Sequence, residues 1–251
     1  VRLFRFGNPF ACFWGVAHGR RPFFIQRWNN IMTTSASVTI PVRPRVEAFL
    51  ARVDPARGRL IFALDATASR QPTWDIAAQL QARMFETVAA TGGLDVQLVW
   101  FRGIDEFHTS PWKSDPHSLA RIMSTVSCRS GPTQFWTTLN HVRKTNAREK
   151  INALILVGDA CEEPAEALYA EARELGVPVF LFQEGDNPDV HKIFAEIARI
   201  TDGAAAQFDA GAAARLADLL KAVAAFASGG RKALASQQTD AARLLLTQIK
   251  K

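Results

Sequence analysis

The chain has 251 residues, 48% hydrophobic and 22% charged, which fits one large globular domain with appendages and excludes a disordered or fibrous polypeptide. Its formal charge of +6 is concentrated at one end. Residues 1–31 hold Arg2, Arg5, Arg20, Arg21 and Arg27 with no acid, and the rest carries 25 basic and 24 acidic residues. A near-neutral body removes bulk charge as an argument for a nucleic-acid partner.

Three scattered cysteines, Cys12, Cys128 and Cys161, form no CxxC pair, so a reducing cytoplasm is the expected compartment. No run reaches the roughly 18 to 20 apolar residues of a membrane helix. The Ala-rich stretch 204–227 is interrupted by Asp209, Arg215, Asp218 and Lys221. No membrane partner is expected.

Residues 1–31 are rich in Arg, Phe and Trp, and Met32 follows directly. They are expected to be a non-native or disordered leader; the alternative for an Arg-rich, acid-free segment is an organellar transit peptide. Residues 32–57 read as a lead-in, with a brief extended piece at 39–42 and a short helix at 45–53. The first strong strand is 60–64. Ile76, Leu80, Met84, Phe85 and Val88 recur at helical spacing, which predicts a helix over 72–90 stopped by Gly92-Gly93.

A second strand follows at 94–101, then a short strand or hairpin partner within 103–109. Asp115-Pro116 is a cap followed by Pro at the first helical position, opening a helix to about residue 126. A loop at Gly131-Pro132-Thr133 leads to a helix over 135–144. The apolar strand 153–157 ends at Gly158-Asp159. A helix over 164–175 closes at Gly176, strand 177–182 follows, and Asn187-Pro188 caps a helix to about 200. A weak strand at 204–208 and a helix over 211–227 complete the domain, assigned to 58–227. Ser228-Gly229-Gly230 reads as a flexible break before one amphipathic helix over 231–251, with Leu234, Ala241, Leu244, Leu245 and Ile249 on its apolar stripe. Strands alternating with helices predict an α/β fold: a doubly wound, mostly parallel, Rossmann-like sheet with helices on both faces, plus a C-terminal helix.

Within that fold, Leu-Ile-Phe-Ala-Leu-Asp65-Ala-Thr67-Ala-Ser69 is the sharpest local feature. A buried strand ends in a carboxylate followed by hydroxyls at every second residue, at the strand end where α/β domains bind ligands. Thr133, in Ser-Gly-Pro-Thr-Gln, and Asp159, in Leu-Val-Gly-Asp-Ala-Cys, supply further oxygens from two more loops. Asp, Thr and Ser offer only hard oxygen atoms, which suit Mg²⁺ or a similar divalent cation.

This order resembles the von Willebrand factor A (vWA) domain family and its metal-ion-dependent adhesion site (MIDAS): Asp-x-Ser-x-Ser, then a distant Thr, then a distant Asp. The resemblance covers residues 59–227. The chain departs from the pattern at Thr67, where the family usually has Ser. The resemblance implies that Thr67 and Ser69 bind Mg²⁺ or Mn²⁺ through their hydroxyls. It implies that Thr133 binds directly in one state and through water in another. Asp65 and Asp159 would contact the metal directly or through ordered water. It further implies a non-enzymatic interaction module in which a partner's Asp or Glu completes the coordination, in an ATPase-associated assembly.

Other readings are weaker. Glu162 and Glu163 follow the third loop, where they could tune the local charge or bind a basic partner; they are expected instead to favour the helix N-terminus just before Pro164. Cys161, among acids, should have a raised thiol pKa unsuited to catalysis. His108, His117, His141 and His191 show no metal-ligand spacing and read as surface or capping residues. Trp112 is expected to pack under its own loop. A phosphatase of the haloacid dehalogenase type needs a second Asp two residues after the first, where this chain has Thr67. A metal-free structural scaffold is the remaining alternative.

Overall fold

In the computed structural model, residues 57–71, 93–209 and 212–250 are described here. The leader, the 39–42 and 45–53 elements and the 72–90 helix lie outside the described residues. The described chain forms one six-stranded sheet: β1 (Gly58–Asp65), β2 (Leu94–Arg102), β3 (Glu106–Thr109), β4 (Ala153–Gly158), β5 (Val179–Glu184) and β6 (Ala204–Phe208). The strand order is β3-β2-β1-β4-β5-β6. All neighbours are parallel except β2 with β3. The short segment expected within 103–109 is therefore an antiparallel hairpin partner at one edge.

Side chains along the strands alternate between two cores. Leu60, Phe62 and Leu64 of β1 join Ala153, Ile155 and Val157 of β4 on one face. Ile61, Ala63, Leu154 and Leu156 face the other. Period-2 alternation of all-apolar strands is what burial on both faces requires. The first face is covered by α1 (Pro116–Ser124), α5 (Ala213–Ser236) and α6 (Asp240–Gln248), through Leu119, Met123, Leu216, Leu220 and Leu245. The second is covered by α2 (Phe135–Asn146), α3 (Ala165–Arg173) and α4 (Pro188–Ile200), through Leu139, Leu168 and Phe194. This is the expected doubly wound architecture.

Caps begin two helices where the sequence places them. The Asp115 carboxylate accepts from the amides of His117 and Ser118, and the Asn187 side chain accepts from those of Asp189 and Val190.

The C-terminal region differs from expectation. A single helix over 231–251 is not what forms. Helix α5 continues to Ser236, with its backbone leaving helical geometry at Gly229 and Gly230, so the Gly-Gly pair makes a kink. The chain breaks again before α6, where the Thr239 hydroxyl accepts from the Ala242 amide at 3.1 Å. The tail is thus two helical pieces, because a local cap interrupts an apolar stripe that otherwise runs through. Leu234, Ala242, Leu245 and Ile249 are all buried in the first core.

This tail, with Arg215 from the first turn of α5, covers the β6 edge. The Gln248 side chain accepts from Ala205 N and donates to Ala205 O, both at 2.9 Å, and Arg215 Nε donates to Gln207 O at 3.0 Å. These bonds satisfy the outward backbone groups of a strand whose composition, Ala-Ala-Ala-Gln-Phe, is poor in strand formers. Among the described residues, no helix is long and apolar enough to cross a membrane.

Candidate functional site

Strand β1 has β2 on one side and β4 on the other, so the order of connection reverses at the β1/β4 boundary. The carboxyl end of such a boundary is the crevice where open α/β sheets bind ligands. Leu64 pairs with Val157, so both chains leave the sheet at the same level. Asp65 is the last residue of β1, and Asp159 follows Gly158 at the end of β4.

The first loop is fixed by its own backbone and by its neighbours. Ala66 N donates to Phe101 O, Arg129 N donates to Ala66 O, and Cys128 N donates to Gln71 Oε1. Thr67 N donates to Asp65 Oδ1 at 2.8 Å, and the Thr67 and Ser69 hydroxyls lie 3.3 Å apart. The chain then makes a single 3₁₀ turn over Ala68–Arg70.

Two glycines let the other loops approach. A side chain at Gly131 would meet Gly103 O at 2.1 Å, and one at Gly158 would meet the Phe135 ring at 2.8 Å. Only the absence of a Cβ permits either contact.

Asp65, Thr67, Ser69 and Thr133 line one concavity of about 200 Å³, together with Gly131 and Glu162. Asp159 lines an adjoining hollow of about 430 Å³ with Glu184, Asp186 and Asp209, and Ser69 borders both. Four of the five expected residues therefore share one concavity, and the fifth lies next door. Its charge still reaches the first, because Asp159 acts on Asp65.

Asp65 is 1% exposed. Burial pushes its carboxyl up to about 6, hydrogen bonds from Thr67 oppose this, the Asp159 charge adds to it, and Arg70 draws it down. Arg70 is buried beneath the site and ion-paired with Glu184. Burial lowers its pKa, against the charges of Asp159 and Asp65.

Despite these neighbours, Asp65 Oδ2 and Asp159 Oδ1 are buried and accept no hydrogen bond. Leaving a buried carboxylate oxygen unpaired costs free energy on the order of 1–3 kcal/mol or more. Apart from the Arg70 guanidinium, the described polar side chains at the two hollows are hydroxyls and carboxylates, oxygen groups that fit a hard divalent cation. Among the described residues, no group of three or more His, Cys, Asp and Glu side chains forms a ready cage. A cation here would depend on the hydroxyls and on retained water.

The two acids after Asp159 do more than flank Pro164. The Glu163 carboxylate accepts from the amides of Phe135 (2.6 Å) and Trp136 (2.9 Å), so it caps α2 rather than the helix that follows it in sequence. Burial raises its pKa, against those two amides. The Glu162 carboxylate accepts from Thr133 N (3.0 Å) and Thr133 Oγ1 (2.7 Å). Burial pushes Glu162 up, but the Thr133 bonds prevail and hold it below its ordinary value.

Sequence reading allowed Glu162 a part in the local charge but missed its bonds to Thr133, and it missed Arg70 altogether. An acid pair beside Asp159 and an Arg beside Ser69 are the only hints in the sequence, and neither carries a period. Cys161 is pushed up to about 11, first by burial and then by the Glu163 and Glu162 charges, so its thiol stays protonated at neutral pH. Trp112, expected to pack under its own loop, does pack, but against the second core, with the Arg59 guanidinium 5.8 Å over its ring. His141 is half-buried, 2.8 Å from Gln97 Oε1.

A scan of the sequence against protein-family models found no match, and a comparison with curated proteins found no significant one. Solved structures do match. A von Willebrand factor type A protein from Catenulispora acidiphila superposes with a TM-score of 0.56 at 16% identity, over 69% of this chain and 43% of that one. The chain thus spans less than half of that protein. The SpRpn10 VWA domain matches with a TM-score of 0.54 at 8% identity, over 64% of this chain and 94% of that domain. Proximal thread matrix protein 1 from the mussel byssus, in a structure with a zinc-occupied MIDAS motif, matches with a TM-score of 0.54 at 19% identity. That match covers 68% of this chain and 48% of the mussel protein. Strand order, helix placement and these superpositions agree: the chain has the fold of a von Willebrand factor A domain.

Proposed function

We propose that the protein is a non-enzymatic, divalent-cation-dependent interaction module. Asp65, Thr67, Ser69, Thr133 and Asp159 would hold Mg²⁺ or Mn²⁺ at the carboxyl end of β1 and β4. Bound there, the cation supplies an open coordination position for a carboxylate. The partner is a protein offering an Asp or Glu side chain, in a cytoplasmic, ATPase-associated assembly.

The observation that carries this reading is the pair of buried, unpaired oxygens, Asp65 Oδ2 and Asp159 Oδ1, the first in a concavity shared with the hydroxyls of Thr67, Ser69 and Thr133 and the second in an adjoining hollow bordered by Ser69. Two features favour binding over catalysis. Thr67 stands where a phosphatase of the haloacid dehalogenase type needs a general acid, and the nearby Cys161 thiol is held protonated.

A second reading has one specific observation behind it. Arg70 is a buried cation acting on both Asp65 and Asp159, and it would serve a metal-free scaffold as an internal counter-charge.

Calorimetric titration with MgCl₂ and MnCl₂ separates the two. The cation reading expects saturable binding that Asp65→Ala abolishes, and a melting temperature that EDTA lowers by mass action. The scaffold reading expects no binding and no response to EDTA. A pull-down with and without EDTA then identifies the partner.

A further inference from the structure

Thr133 is gripped from the third loop by a residue outside the expected ligand set. Its backbone amide and its hydroxyl both donate to Glu162 Oε2, at 3.0 and 2.7 Å. In return, Glu162 N donates to Thr133 Oγ1 at 3.3 Å. The neighbouring Glu163 fastens the same loop to the first two amides of α2. The 131–136 and 161–163 segments are thus clasped by five hydrogen bonds, with Thr133 at their centre and 5% exposed.

A hydroxyl has one proton and two lone pairs. Here the proton is directed at a carboxylate and one lone pair takes an amide N–H. One lone pair is left, and Thr133 borders the concavity that also holds Asp65, Thr67 and Ser69. Without the carboxylate the hydroxyl is free to rotate, and in some rotamers its proton points at the place a cation would occupy. An anion that accepts the proton both fixes the rotamer and makes the oxygen a better donor to a metal.

We propose that Glu162 is a positioning residue that turns Thr133 Oγ1 into a fixed acceptor for a divalent cation, acting through Thr133 and not as a ligand itself. This rests on the cation reading above and assigns Glu162 a role within it. Partners that orient a ligand in this way are worth about 10- to 100-fold in metal affinity.

The test is a double-mutant cycle read by calorimetric titration with MnCl₂, with thermal unfolding in EDTA confirming that each variant folds. Glu162→Ala is expected to weaken Mn²⁺ binding by about 10- to 100-fold in the otherwise unchanged protein. In a Thr133→Val background the same change is expected to alter affinity by less than about twofold, because the group it acts through is gone. Glu162→Gln keeps an acceptor oxygen and should restore part of the loss; being nearly isosteric, it also carries the cycle if the alanine variant does not fold.

A Glu162 effect that persists in the Thr133→Val background marks a direct ligand or a bulk charge effect and overturns the proposal. So does tighter binding in Glu162→Ala, which marks a competing internal carboxylate. Absence of Mn²⁺ binding by the unchanged protein, or binding indifferent to Asp65→Ala, overturns the cation reading, and the role of Glu162 with it.

Discussion

Two margins of the sheet handle their polar groups in opposite ways. At the outer edge, the outward amide and carbonyl of Ala205 are both bonded by Gln248, and Gln207 O is bonded by Arg215. At the β1/β4 end, Asp65 Oδ2 and Asp159 Oδ1 are buried with no partner. Side chains from α5 and α6 close the first margin, while the second stays open although hydroxyls crowd around it. Buried polar atoms are paired in the great majority of cases. An edge that the chain closes with its own side chains is structural, whereas the proposed cation would complete the opening at the topological switch point.

That contrast breaks if the tail proves dispensable. Leu245 is fully buried between α6 and the sheet. Leu245→Ala is expected to destabilise the protein by about 2–5 kcal/mol, as large-to-small core substitutions do. Urea unfolding measures this. Any rise in stability that the proposed cation gives on adding Mg²⁺ should be the same in the variant, because the tail and the site are separate devices. A variant that keeps full stability, or that loses only its Mg²⁺ response, merges the two regions.

Asp65 tests the open margin through pH. Its folded pKa is about 6, against an ordinary value of 3.8, because burial disfavours the charged form. A raised carboxyl pKa means that the folded state holds the proton more tightly. The associated stability is present below pH 3.8 and is lost as pH rises through about 6. A shift of that size corresponds to roughly 3 kcal/mol. In EDTA, Asp65→Asn, which cannot ionise, should therefore gain on the unchanged protein between pH 4 and pH 7.5. If the proposed cation binds, the order should reverse in saturating Mg²⁺ at the upper pH, because the carboxylate is the form that would hold the ion. Parallel pH profiles for the two proteins in EDTA would remove the idea that Asp65 is held in an unfavourable charged state.

The site was partly legible in the sequence, for a physical reason. An apolar strand that stops abruptly at an acid marks its own end, so Asp65 and Asp159 could be placed on one sheet edge from local pattern alone. The same held for the Asp115 and Asn187 caps, whose partners lie two or three residues on. What stayed illegible depends on distance in the fold. Glu162 and Thr133 are 29 residues apart, and Gln248 and Ala205 are 43 apart. Nothing in the period of α5 and α6 revealed the Thr239 cap between them, since apolar residues recur on both sides of it. A buried Arg70 beside an exposed Ser69 likewise looks, in sequence, like an ordinary surface pair.

The closed margin has its own smaller test. Gln248→Ala removes two hydrogen bonds to Ala205. It should cost about 1–2 kcal/mol, at the usual net worth of such bonds. Exposing an unpaired strand edge should also promote self-association, visible by light scattering at high protein concentration. Stability unchanged by the substitution would make Gln248 incidental to the edge.

The smallest expected effect concerns the departure from the family pattern. Thr67 is 8% exposed, and its hydroxyl lies 3.3 Å from that of Ser69. Thr67→Ser keeps the oxygen and deletes one partly buried methyl, so stability in EDTA should fall by about 1 kcal/mol or less. Thr67→Val keeps the branched shape and deletes the oxygen. If the hydroxyl is a ligand, the serine variant should bind Mn²⁺ nearly as the unchanged protein does, while the valine variant binds much more weakly at similar stability. If both substitutions leave affinity alone, Thr67 is a turn residue, and the open margin must do without its oxygen.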